Sequence, residues 1–213
     1  MKKFKLVVFD AYGTLFDVYS IGKLLEEIYS NQGAQLATLW RDKQIEYTRL
    51  ISQADPYSEN GSQYYESFWE ITKASLVYAT KRLHLDLTDD LAKRILDQYM
   101  HLEAFPENLE VLKKLKASGI SLAILSNGSD EMLDAAVSSA GMVGIFDEVI
   151  SVSQIRQFKI LPKSYTLVEE YFPFKKSEIL FISSNGWDVL GATWYGFNTF
   201  WVNRQHLPFE EIG

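Results

Sequence analysis

Two patterns in the sequence predict an α/β fold: a parallel sheet covered by helices, with a helical insertion after its first strand. The first pattern is a set of short, unbroken apolar runs at residues 6–9, 121–125, 149–152, 179–183 and 199–202. Runs without polar alternation suit strands buried on both faces, as in parallel sheets whose crossovers are helices. The second is helical periodicity between the later runs. Leu109, Leu112 and Leu115 follow Pro106, and Met132, Leu133, Ala136, Val137 and Ala140 lead to Gly141. Leu167, Val168 and Tyr171 supply a further short face. Strands alternating with such helices build a covered sheet.

The alternation lapses between Asp17 and Gln98, where four helical stripes replace it. They are Ile21, Leu24, Leu25 and Ile28, then Leu36, Leu39, Trp40, Lys43 and Tyr47. The third is Tyr65, Phe68, Trp69, Thr72 and Leu76, and the fourth Leu91, Ile95 and Tyr99. Asp55-Pro56 and Glu59-Asn60-Gly61-Ser62 mark a turn in the middle. The organisation expected is an α/β core of residues 1–16 and 99–213, with a helical unit of residues 17–98 inserted.

Composition narrows the classes of function. The 213 residues are 47% hydrophobic and 23% charged, an ordinary globular balance. A formal charge of −7 argues against nucleic acid or an anionic membrane as partner, since both favour a basic face. With no cysteine, disulfides, thiolate metal sites and a cysteine nucleophile are excluded. The N-terminal apolar run is broken by Asp10, too short for a signal sequence, and no stretch reaches the roughly 20 apolar residues of a membrane span. A soluble, cytoplasmic protein is the expectation.

Chemistry-bearing residues stand at successive strand ends. Asp10-Ala11-Tyr12-Gly13-Thr14 follows the first run and Ser126-Asn127-Gly128 the second. Lys159 follows the third, and Ser183-Ser184-Asn185-Gly186-Trp187-Asp188 closes the fourth. Open α/β sheets bind ligands at the carboxyl ends of their strands. Any one of these residues would serve as a turn or helix cap. Capping alone does not explain such groups at every strand end. His84, His101 and His206 have no metal-ligand spacing and read as structural or surface residues.

On these motifs the sequence resembles the haloacid dehalogenase (HAD) superfamily, and within it the L-2-haloacid dehalogenases (type II). Residues 10–17 (Asp-Ala-Tyr-Gly-Thr-Leu-Phe-Asp) are similar to the nucleophile motif, and residues 40–48 to the cap segment carrying a halide-binding arginine. Residues 125–129 and 181–188 are similar to the second and fourth motifs, and the resemblance continues through Gly191, Gly196 and Arg204. It implies a Rossmann-like HAD core with a helical cap. It further implies hydrolytic dehalogenation of small L-2-haloacids to D-2-hydroxy acids through an ester on Asp10, with no metal and no cofactor. Relatives are commonly dimers, so a homodimer is possible.

Site roles follow from the resemblance residue by residue. Arg41 and Asn127 receive halide, and Ser126 with the amides near Ala11 and Tyr12 binds the substrate carboxylate. Lys159 balances Asp10, while Thr14, Ser183, Asn185 and Asp188 position it and assist ester hydrolysis. Tyr165 matches a helix tyrosine of the family. Tyr12, Phe68, Trp69 and Trp187 are candidates for the pocket wall, although Phe68 and Trp69, on one helical stripe, read at least as well as core residues. Tyr12 also stands where related phosphatases carry a second aspartate, the acid/base for their leaving group. A halide leaves without a proton, so the loss of that acid suits dehalogenation. In one respect the chain departs from the family: Ile160, not proline, follows Lys159. Two rival readings stay open, a Mg²⁺-dependent phosphatase of this fold and a non-catalytic protein binding small acids.

Overall fold

A computed structural model describes residues 4–212; the first three residues and the last residue of the expected core unit lie outside them. The five strands are β1 (Leu6–Phe9), β2 (Ser121–Ser126), β3 (Glu148–Ser151), β4 (Ile179–Ser183) and β5 (Asn198–Trp201). They form one parallel sheet in the order β3-β2-β1-β4-β5. Each lies within a residue of its expected run. β3 stops at Ser151 because that hydroxyl accepts the Ser153 N–H at 3.1 Å and turns the chain into a short 3₁₀ segment.

Between β1 and β2 come α1 (Gly22–Ile28), α2 (Gly33–Ala54), α3 (Phe68–Arg82), α4 (Asp89–Tyr99) and α5 (Asn108–Ala117). The remaining helices are α6 (Asp130–Ser139), α7 (Pro162–Tyr171) and α8 (Gly186–Tyr195), each joining consecutive strands. Among the described residues, no helix is long and apolar enough to cross a membrane. Tyr65, counted in the third stripe, precedes its helix: Ser67 caps α3 by accepting the Glu70 N–H at 3.2 Å.

β1 is the central strand and is buried throughout. It pairs with β2 on one side and β4 on the other, with Phe9 opposite both Ile124 and Ile182. The chain therefore leaves β1 between two neighbours whose crossovers run in opposite directions across the sheet. That switch point is where a crevice opens beyond the strand ends. Asp10, Asn127 and Ser183-Ser184-Asn185 all emerge there.

The 22-residue α2 departs most from its expected face. Besides Gly33, its buried residues are Leu36, Ala37, Trp40, Gln44, Thr48 and Ser52, mostly at a four-residue spacing whose second half is polar. Leu39 and Tyr47 are only partly buried. α1 and α2 approach so closely that a Cβ on Gly33 would lie 2.4 Å from the Glu26 backbone nitrogen and 2.6 Å from its Cα. Gly33→Ala has to displace main chain, not a flexible side chain. It is expected to cost about 1–3 kcal/mol, the usual range for overpacking. Urea unfolding of the variant checks this, and an unchanged midpoint would contradict the contact.

Candidate active site

Asp10 is the residue on which the site converges. Its N–H donates to the Ile182 carbonyl at 2.9 Å, extending the β1–β4 ladder by one residue and fixing the main chain. The next turn is held by Gly13, whose φ of +91° suits glycine, and by Leu15 N–H on the Ala11 carbonyl at 2.8 Å. That turn returns Thr14 towards Asp10.

The two carboxylate oxygens have different surroundings. Oδ2 accepts from the Thr14 hydroxyl at 2.8 Å, the Asn185 amide at 2.8 Å and the Ser183 hydroxyl at 3.4 Å. Oδ1 faces the Lys159 ammonium at 3.1 Å. The Asn185 N–H also donates to the Ser183 hydroxyl at 3.1 Å, and the Ser184 N–H to the Thr14 hydroxyl at 2.8 Å. The donors to Oδ2 are thus themselves oriented by the loop after β4.

Lys159 lies on the segment between β3 and α7, with its ammonium fully buried between Asp10 and Asp188, 2.9 Å from the latter's Oδ2. Asp188 Oδ1 accepts from the Tyr165 hydroxyl at 2.8 Å. Burial alone would lower the lysine's pKa, but the charges of Asp10 and Asp188 outweigh it and hold it above the ordinary value. One ammonium shared by two acids leaves Asp188 under-compensated: burial pushes its carboxyl up to about 6 against the pull of Lys159, with Asp10 adding to the rise. Burial, reinforced by Asp188, keeps the Tyr165 phenol well above its usual range, so it remains a donor. Its approach depends on Gly191, where a Cβ would stand 2.5 Å from the phenol oxygen and 2.8 Å from Ile160. The Lys159–Ile160 peptide is cis.

Arg41 reaches across from α2. Its guanidinium donates to the Gln44 side chain at 2.8 Å, to the Tyr12 carbonyl at 3.2 Å and to Asn185 Oδ1 at 3.5 Å. It forms no hydrogen bond with Asn127, whose Oδ1 instead accepts the Lys159 N–H at 3.0 Å. Ser126 is buried, and its hydroxyl oxygen accepts the Gly128 N–H at 3.0 Å. Tyr12 is also buried, its ring 5.8 Å from Phe68 and stacked on Tyr99 at 6.3 Å. Burial first, then Tyr99, raises the Tyr12 phenol far above its ordinary value, so it cannot stand in for an acid/base carboxylate near neutrality.

The structure thus gathers Asp10, Thr14, Arg41, Lys159, Tyr165, Ser183, Asn185 and Asp188 into one connected network, with Tyr12 and Phe68 beside it. Trp187 borders this network on the side where Arg41 and Asn185 face open space. It stands under Arg49, 5.4 Å from its guanidinium, in an open cleft of about 980 Å³ that Arg41 also lines but Asp10 does not. Trp69 is partly buried, beside Lys73. Three residues near the centre were given no individual role from the sequence. Gln44 and Tyr99 join the Arg41 network, and Ser184 donates to the Gly13 carbonyl at 2.5 Å. The aromatic stripe contained Tyr99, but nothing in its spacing distinguished a hydrogen-bonding role.

Comparison with known proteins decides the family. A family model described as haloacid dehalogenase-like hydrolase matches residues 4–196. (S)-2-Haloacid dehalogenase H-109 of Pseudomonas putida is 41% identical, covering all of this chain and 92% of that protein. Haloacetate dehalogenase H-2 of Moraxella sp. is 39% identical, again over the whole chain and 92% of the relative. The chain belongs to the L-2-haloacid dehalogenase family of the HAD superfamily. Membership places it among hydrolases acting on carbon–halide bonds. A solved L-2-haloacid dehalogenase superposes with a TM-score of 0.94 at 47% identity, covering 99% of this chain and 91% of the other. That of Xanthobacter autotrophicus with chloropropionic acid covalently bound gives 0.83 at 39% identity, covering 92% and 76%.

The charge arrangement has a measurable consequence for stability. Lys159→Met leaves Asp10 and Asp188 buried without their shared cation and is expected to cost about 3–5 kcal/mol near neutral pH. Because the folded lysine's pKa lies above its unfolded value of 10.5, its contribution is complete below that value. It is lost only as pH rises through the folded value. Urea titrations of both proteins should show the alkaline gap narrowing only above pH 10.5.

Proposed function

We propose that this enzyme hydrolyses small L-2-haloacids to D-2-hydroxy acids through an ester on Asp10, without a metal. The observation carrying the reading is the asymmetry of Asp10. Oδ2 is saturated by three donors, whereas Oδ1 has only Lys159 beside it and keeps a lone pair for attack.

In the first step a bond forms between Oδ1 and C2 of the substrate as the carbon–halogen bond breaks. Halide leaves with the bonding pair and the carbon inverts. Arg41, with Asn127, stabilises the charge developing on that halide. The Ser126 hydroxyl and the N–H groups of Ala11 and Tyr12 hold the substrate carboxylate. In the second step water adds to Cγ of Asp10. Oδ2 becomes the oxyanion, already facing Thr14, Asn185 and Ser183, and no donor has to move. The alkoxide then takes one of the water's protons and leaves as the hydroxy acid, the other proton passes to solvent, and Asp10 regains its carboxylate with one oxygen from water. Lys159 and Asp188, oriented by Tyr165, hold this pair in place. Residues 17–98 act as the cap that delivers Arg41, and Trp187 flanks the route in.

Two features support this over a phosphatase. Tyr12 supplies no second acid, and the Lys159 ammonium lies between Asp10 and Asp188, within 3.1 Å of each, where a bridging cation would otherwise neutralise them. A binding protein would not need Oδ2 saturated and Oδ1 left open.

Incubation with L-2-chloropropionate should release chloride equally with and without EDTA, and yield D-lactate. Mg²⁺-dependent hydrolysis of an aryl phosphate with no chloride release would overturn the reading. Asp10→Asn should abolish turnover. A single turnover in water carrying heavy oxygen should place that label on Asp10, whereas label found only in the product excludes the ester.

A pH profile tests the charge sharing. As Asp188 gains a proton near pH 6, the Lys159 ammonium pulls on Asp10 alone and weakens its attack. Turnover is therefore expected to fall as pH drops through about 6, and Asp188→Asn to be slow without that limb. A carboxyl raised from 3.8 to about 6 on folding adds stability as pH falls across that interval, so this group does not unfold the protein there. An acid limb accompanied by loss of folded signal would contradict the assignment.

A further inference from the structure

We propose that Gln44 is a positioning residue for Arg41 and, through it, sets how strongly the enzyme favours one leaving halide over another; this rests on the reading of Arg41 given above. Gln44 lies three residues after Arg41 on α2 and is buried. Its Oε1 accepts two hydrogen bonds, from the Arg41 guanidinium at 2.8 Å and from the Tyr99 hydroxyl at 3.2 Å. Its Nε2 donates to the Thr72 hydroxyl oxygen at 2.6 Å.

The orientation of this amide is dictated by its partners. The Thr72 hydroxyl donates to the Phe68 carbonyl at 2.7 Å, so towards Gln44 it can only accept. Nε2 must therefore face Thr72, and Oε1 must face Arg41. Burial holds the Tyr99 phenol protonated, making it a donor to the same oxygen. Thr72 of α3 and Tyr99 of α4 thus fix the two ends of one side-chain amide, whose carbonyl oxygen has the guanidinium as its other partner. On the other side Arg41 is held by the Tyr12 carbonyl at 3.2 Å.

A guanidinium clamped at both ends presents its other N–H groups in one direction. Charge stabilisation of this kind depends on donors that need not reorganise during reaction. Chloride, the poorer leaving group, carries more of its barrier in that charge than bromide does. Loosening the clamp should therefore slow chloride displacement more than bromide displacement. Ester hydrolysis, which follows departure of the halide, should be untouched.

The test compares single-turnover ester formation from L-2-chloropropionate and L-2-bromopropionate in the wild type, Gln44→Leu and Thr72→Val. Circular dichroism confirms that each variant is folded. In Gln44→Leu the chloride rate is expected to fall about tenfold, less than the ~100-fold typical of losing a donor in direct contact with developing charge. The bromide rate falls less, so the bromide-to-chloride ratio rises several-fold. Thr72→Val frees the amide to turn and shifts the ratio the same way by less. Gln44→Glu, which keeps an acceptor facing Arg41, returns the ratio towards wild type. Equal slowing of both halides in Gln44→Leu, or slower ester hydrolysis, would show that Gln44 serves packing alone and overturn the inference. If Gln44→Leu does not fold, an unchanged ratio in Thr72→Val overturns it. Wild-type protein that releases neither halide overturns the reading of Arg41 itself, a result distinct from both.

Discussion

One buried ammonium, that of Lys159, is shared by two buried carboxylates, and the arrangement of the site depends on it. Burying charged groups costs several kcal/mol each unless they are paired and their remaining hydrogen-bonding capacity is met. Here Asp10 is met by Thr14, Ser183 and Asn185, and Asp188 by Tyr165. Meeting those demands brings the turn after β1, the loop after β4, the start of α8 and the segment before α7 to one point. Apart from Tyr165, six residues on, the side chains that meet these carboxylates lie far from Lys159 in sequence.

The same requirement shapes the packing behind the charges. Tyr165 reaches Asp188 only because residue 191 has no Cβ, and the Tyr12 ring lies against Gly128 for a similar reason, a Cβ there falling 2.7 Å from Cε2. Both glycines permit close approach where a side chain would hold two elements apart. The resulting asymmetry of Asp10, one oxygen saturated and one open, is a property of the assembled strand ends.

α2 connects the helical insertion to this centre at two places. Arg41 reaches the Tyr12 carbonyl and Asn185, and three turns later the Ser52 hydroxyl accepts the Phe158 N–H at 2.9 Å, directly before Lys159. The helix carrying the proposed halide-facing cation is thus tied to the segment carrying the lysine. Polar groups buried along α2 look costly in isolation. Gln44 and Ser52 are satisfied because α3, α4 and the β3–α7 segment bring partners to them, and Thr48 donates to the Ile45 carbonyl of its own helix.

Much of this was legible beforehand. The apolar runs located all five strands to within a residue, because strands buried on both faces admit no polar alternation. Asp10, Lys159, Asn185 and Asp188 stood out as polar residues where strands end, and Tyr12 as an acid's absence. Gln44 and Thr48, though within the cap segment that carries the resemblance, and Ser52 were given no role, since a search for apolar periodicity passes over polar residues even when they line the buried face. Trp187 stands in the cleft that Arg41 and Asn185 also line, a placement that residue type at a helix start does not give. By itself the sequence determined the α/β class, the family and the chemical character of the strand ends, all of which depend on residue identity and spacing along the chain. Only the tertiary structure decided which oxygen of Asp10 is free, which acids share Lys159 and what holds Arg41. Those are distances between groups as many as 175 residues apart, set by how the sheet and helices pack.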